Sequence, residues 1–131
     1  MKQRFKISFD FDDCLDDNEH LQMLAQILIK ADIEVFILTC RVDDGVVSNN
    51  DMFKKAEKLG ISKSNIIFVG MGDKQLFMKE LDITIHFDDN ADTVDRINRF
   101  FDSPNSLNKR AFLVNLDLQD ILHTFWELQK E

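Results

Sequence analysis

Residues 5–10, Phe-Lys-Ile-Ser-Phe-Asp, alternate apolar and polar positions and end on an acid. This is the period-two pattern of a strand, with Asp10 at its carboxyl end. From Asn18 to Lys30 the period changes: Leu21, Leu24, Ala25, Leu28 and Ile29 recur at helical spacing. Ile33–Leu38 is a continuous β-branched and aromatic run, as expected for a strand buried on both faces, and Thr39-Cys40-Arg41 follows it. Residues 41–50 are polar, contain Gly45 and read as a loop. Asn49 or Asn50 is placed to cap a helix through Phe53, Ala56 and Leu59, with Gly60 as its stop. Further strands are expected over 66–69, 83–87 and 111–114. Helices are expected after Asp73, over 93–101 and over 118–128, with a turn at Ser103-Pro104-Asn105.

Strict β-α alternation, with crossovers long enough for a helix, predicts a three-layer, Rossmann-like α/β fold. Its parallel five-stranded sheet is covered by helices on both faces. Ligands of such sheets bind beyond the carboxyl ends of the strands. Asp10, Thr39, the turn before Lys74, and Asp88-Asp89 all fall on that rim.

Composition adds bounds. The 131 residues suit one domain spanning 1–131, and 44% apolar residues suit a buried core. A net charge of −8 opposes strong non-specific nucleic-acid binding. Apolar runs such as Val35-Phe36-Ile37-Leu38 are too short to span a bilayer, and the start, Met-Lys-Gln-Arg-Phe, lacks the pattern of a signal peptide. Two cysteines are too few for a disulfide framework. A cytoplasmic protein without membrane contact is the expectation.

The acids carry the chemistry. Asp10, Asp12, Asp88 and Asp89 on one rim would raise each other's pKa or require a cation, and oxygen ligands suit Mg²⁺. Asp16, Asp17 and Glu19 have a plainer role, complementing the N-terminal dipole of the following helix. Thr39 and Lys74 can supply a hydroxyl and an ammonium to a phosphate, and Arg41 a guanidinium fork.

These motifs resemble those of the haloacid dehalogenase (HAD) superfamily of aspartate-dependent phosphatases. The first is Ile7-Ser8-Phe9-Asp10-Phe11-Asp12, the second Val35-Phe36-Ile37-Leu38-Thr39. The third is Lys74, with Lys79 the weaker alternative, and the fourth Ile83-Thr84-Ile85-His86-Phe87-Asp88-Asp89. The resemblance implies a HAD-type, Mg²⁺-dependent phosphohydrolase. In it Asp10 is the nucleophile that becomes an aspartyl-phosphate, and Asp12 is the general acid and base. Asp10, Asp12 (through its backbone carbonyl) and Asp88 would hold the metal. Asp89 would support the metal shell or pair with Lys74, and Thr39, Cys40, Arg41 and Lys74 would line the phosphate site.

Asp13-Cys14 departs from the Gly-Thr usual after the first motif. The intervals from Asp10 to Thr39 and from Thr39 to Lys74 leave no room for a cap domain. An open site would suit a phosphomonoester on a nucleotide, a nucleic-acid end or a phosphoprotein, or a homo-oligomer in which another subunit donates the lid. A metal- and phosphate-binding regulatory module with weak or no turnover is the alternative. A response-regulator receiver does not fit the order, because its acceptor aspartate would fall at Val69-Gly70. Cys14 and Cys40, each following a motif on the same rim, are a candidate redox pair.

Overall fold

The computed structural model describes residues 5–43, 47–102 and 109–114. Gly45, the 103–105 turn and the expected 118–128 helix lie outside the described residues. Five strands, β1 (Lys6–Phe9), β2 (Glu34–Thr39), β3 (Ile66–Phe68), β4 (Ile85–Asp88) and β5 (Arg110–Leu113), alternate with four helices. The helices are α1 (Glu19–Lys30), α2 (Asn50–Leu59), α3 (Lys74–Leu81) and α4 (Ala91–Phe101). All strand pairings are parallel, in the order β3-β2-β1-β4-β5. The three-layer, Rossmann-like α/β arrangement expected from the alternating pattern is therefore present. Among the described residues between Thr39 and Lys74 only α2, β3 and short 3₁₀ turns occur, so nothing there caps the rim.

Period two decides which helix covers which residue. Val35 and Ile37 of β2 join Ile7 and Phe9 in a core with Leu21 and Ala25 of α1 and Met52 and Ala56 of α2. Phe36 and Leu38, on the other face, pack with Met78 of α3 and Ile97 and Phe101 of α4. The chain runs outward from β1 to β3 and then returns to the opposite side of β1. The topological switch thus falls between β1 and β4, the position beyond whose carboxyl edge open parallel sheets bind ligands. Asp10 and Asp88 flank it.

The caps differ in detail from expectation. Asn18 caps α1 by accepting the Leu21 N–H at 3.1 Å, and Asn90 caps α4 by accepting that of Thr93 at 3.0 Å, so α4 begins at Ala91. Asn49 and Asp73 stand at the N-cap positions of α2 and α3, yet neither side chain caps. The Asn49 amide instead donates to the Val42 carbonyl. Gly60 ends α2 with φ 90°, the left-handed stop expected of it.

Between β1 and α1 the chain makes a tight turn over Phe11–Leu15. Asp12 is extended and Asp13 is left-handed, at φ 56° and ψ 22°. Asp13 occupies the very position where the HAD motif has glycine, and aspartate is among the few L-residues that enter this region readily. Because Asp13 is exposed, Asp13→Val tests the backbone alone: urea unfolding is expected to show a loss of about 1–2 kcal/mol. Asp13→Gly is expected to be tolerated. Equal midpoints for Val and Gly would refute this account of the turn.

Candidate functional site

The sheet itself delivers the buried acids. Asp10 follows β1, its backbone N–H donating to the Phe87 carbonyl at 2.8 Å, and Asp88 closes β4, its carbonyl accepting from Val114 at 2.8 Å. Two neighbouring parallel strands thus end in carboxylates on either side of the topological switch. Lys74, in the first turn of α3, lies between them. Its Nζ donates to Asp10 Oδ1 at 2.9 Å and to Asp88 Oδ2 at 2.6 Å, and all three residues are buried. Asp10, Asp88 and Asp89 carry carboxylate oxygens that all lie within 4.8 Å of one another.

Three acids and one ammonium leave excess negative charge in a poorly solvated place. Burial pushes the Asp10 carboxyl well above its ordinary range, and the Asp88 charge adds to this against the pull of Lys74. Burial acts on Asp88 in the same sense, but the hydrogen bonds from His86 and Lys74 and the Lys74 charge outweigh it and bring Asp88 down to about 2. Burial works against the Lys74 ammonium, and the charges of Asp10 and Asp88 more than compensate, so its pKa rises. In the metal-free protein Asp88 and Lys74 are therefore the settled ion pair, and Asp10 is the group that retains a proton.

A divalent cation would change this balance. Carboxylate oxygens around a small gap suit Mg²⁺, and the residues that would hold it are Asp10, Asp88 and Asp89. Asp89 joins the ligand cluster, and Lys74 pairs with Asp10 and Asp88. The metal contact expected of Asp12 is through its backbone carbonyl; its side chain is engaged elsewhere. Arg41 holds both its oxygens, Nε to Oδ2 at 2.9 Å and Nη2 to Oδ1 at 2.7 Å.

The same guanidinium reaches Asp51 at 2.8 and 2.9 Å and lies 5.0 Å from the Phe11 ring centroid. Arg41 thereby ties the Asp12 turn to the start of α2. It would have to exchange a carboxylate partner in order to grip a phosphate. Thr39 is fully buried, and its hydroxyl accepts the Arg41 backbone N–H at 3.1 Å. It shapes the turn and is not presented to a ligand. Cys40 is exposed, Cys14 is buried, and both are free thiols. Burial pushes the Cys14 thiol far up, the nearby Asp10 charge adds to this, and Sγ donates weakly to the Phe87 carbonyl. An enclosed, protonated thiol is the opposite of a redox sensor, so the geometry does not support the expected pair.

Two residues of the site escaped the sequence reading. His86 Nε2 lies 2.8 Å from Asp88 Oδ2, and His86 Nδ1 lies 2.7 Å from Ser8 Oγ, with both residues fully buried. Ser8 and His86 are directly paired in register, each two positions before its strand's acid. The signal was available in the form of a polar residue two positions before the acid at the end of each of two neighbouring strands.

No family model matches the chain, and no curated protein matches it either. Among solved structures it is similar to a universal stress protein in complex with cAMP. The identity is 13%, the TM-score 0.51, and the match covers 87% of this chain and 98% of the other. At that identity the likeness establishes the fold. It overturns the HAD resemblance, and with it the hydrolase, phosphatase and aspartyl-phosphate readings. The physical reason is that an apolar strand ending in an acid is what a parallel sheet offers at its carboxyl rim. Such motifs in sequence report the sheet, not a reaction. Asp12, cast as the acid and base, is moreover clamped by Arg41. No helix among the described residues is long and apolar enough to cross a membrane. The chain is similar in fold to a universal stress protein.

Proposed function

We propose that the protein is a binding module for a phosphate-bearing small molecule of the nucleotide class, held at the β1/β4 rim through Mg²⁺. The observation that carries this reading is the cluster of Asp10, Asp88 and Asp89 around the buried Lys74. A rim with this excess of carboxylate repels a phosphate unless a cation lies between them. Mg²⁺ on the three acids would supply that cation and neutralise phosphate charge. Lys74 provides the fixed positive charge beside it, and Arg41, at the mouth, can exchange Asp51 or Asp12 for a phosphate oxygen. The choice of a nucleotide draws on the fold neighbour, whose solved structure contains cAMP. A cytoplasmic setting accords with the two free cysteines.

Thermal unfolding with AMP, ATP or cAMP tests the reading, each with Mg²⁺ and with EDTA. A rise in Tm that needs both Mg²⁺ and one of the nucleotides is expected. Ligand at about 100 times its Kd stabilises by about 2.7 kcal/mol. No shift with any nucleotide, or the same shift in EDTA, would remove this function, as would release of phosphate from the bound nucleotide.

A further inference from the structure

We infer that Ser8 and His86 are positioning residues of the cation site, a buried pair that fixes the Asp88 carboxylate so that one oxygen lone pair remains for the metal. The inference rests on the Mg²⁺ reading above and goes beyond it by assigning work to residues that touch neither cation nor ligand. Asp88 Oδ2 receives Lys74 at 2.6 Å and His86 Nε2 at 2.8 Å, and Oδ1 receives the Asn90 backbone N–H at 3.0 Å. A carboxylate offers about four lone-pair sites, two on each oxygen. Donors among the described residues occupy three, and the one they leave is on Oδ1. Asp88 can therefore give a cation a single bond, in a direction set by its three donors.

His86 can do this only as one tautomer. An ionised carboxylate accepts, so the ring must carry its proton on Nε2. Among the described residues the partner of the other nitrogen is the Ser8 hydroxyl, 2.7 Å away. With the ring neutral, Nδ1 is an acceptor and Ser8 donates to it. The alternative tautomer would turn a bare Nε2 lone pair on the Asp88 oxygen. Ser8 thus sets the ring, the ring sets Asp88, and both lie inside the sheet at adjacent register positions, where neither can rotate away. Histidine and carboxylate pairs that orient a metal ligand in this manner commonly change metal affinity 10- to 100-fold when broken.

The test is calorimetric titration of the full chain with Mg²⁺ alone. His86→Leu is expected to weaken Mg²⁺ about 10- to 100-fold. His86→Gln, which retains an N–H donor, is expected to recover most of that loss. Ser8→Ala, the gentler change, should weaken binding about 2- to 10-fold. Nitrogen-15 spectra of the His86 ring supply a readout that a purely structural role would not move. The parent should show the Nε2–H tautomer, and folded Ser8→Ala a mixture. If His86→Leu does not fold, Ser8→Ala and the ring spectra decide. Parent protein that binds Mg²⁺ while the folded variants bind equally well, or a parent ring in the Nδ1–H form, overturns this inference alone. Parent protein that does not bind Mg²⁺ overturns it together with the cation site.

Discussion

Lys74→Met is expected to lower the stability of the metal-free protein by about 3–5 kcal/mol, the usual result of removing one partner from a buried ion pair. The stem of methionine fills the space of the lysine chain, so little packing is lost. What disappears is the ammonium donating to Asp10 and Asp88 at 2.9 and 2.6 Å, two carboxylates with side chains 11% and 1% exposed. Asp10 can relieve its part by holding a proton, but among the described residues Asp88 keeps His86 and the Asn90 N–H alone. Urea unfolding in EDTA measures the loss. Lys79→Met is the control on the same helix. It is exposed and is expected to shift stability by no more than about 0.5 kcal/mol. Mg²⁺ should restore part of the loss in Lys74→Met, because a cation between the carboxylates replaces the missing charge. If Lys74→Met proves as stable as the parent in EDTA, the central ion pair does not exist in solution.

The second large effect is a fall in the stability of the metal-free protein as pH rises from about 6.5 to 8.5. Asp10 has its folded pKa raised, to about 8 against an ordinary 3.8. Its contribution is therefore complete below pH 4 and lost as pH rises through 8. The slope reaches about 1.4 kcal/mol per pH unit. His86 works in the opposite direction below its ordinary 6.5, since burial outweighs the Asp88 hydrogen bond and lowers the ring's pKa when folded. Below pH 6.5 the two slopes oppose one another. Above 6.5 the Asp10 term acts alone, giving a net loss of about 2 kcal/mol across the window. Asp88, lowered to about 2, contributes stability present above pH 4 and lost only as pH falls through 2.

Saturating Mg²⁺ is expected to cancel the alkaline fall, because the metal takes the deprotonated carboxylate and proton release becomes favourable. Urea midpoints across pH in EDTA and in Mg²⁺ provide the check, and Asp10→Asn should flatten the EDTA curve. Stability that is level or rising from 6.5 to 8.5 in EDTA would contradict the placement of the proton on Asp10.

The fold was legible because its signals are local and repeated. Period two in residues 5–10, the β-branched run of β2 and the left-handed Gly60 each specify an element without help from the rest of the chain. The rim was legible for the same reason, since Asp10 and Asp88 end apolar strands. The partnerships were not. Arg41 was read as a phosphate fork from its distance to Thr39, while its actual partners, Asp12 and Asp51, come from a turn and a helix start that no spacing connects. Thr39 was read as a ligand to phosphate, but whether a strand-end hydroxyl faces outward depends on the chain that covers it. His86 went unnoticed because a histidine inside a strand looks like filler until Ser8 is known to lie beside it. The identification with phosphatases failed at a different level. It carried a reaction over from motifs that the sheet alone explains.

The most direct test of the central claim is calorimetric titration of the intact chain with AMP, ATP and cAMP. Each is run in Mg²⁺, in EDTA, and in Mg²⁺ with Asp88→Asn confirmed as folded. Saturable binding of at least one nucleotide by the parent in Mg²⁺, absent in EDTA and absent in Asp88→Asn, is the expected result. Binding that persists in EDTA or in Asp88→Asn, or no binding by the parent in Mg²⁺, would contradict a cation-bridged nucleotide site at the β1/β4 rim.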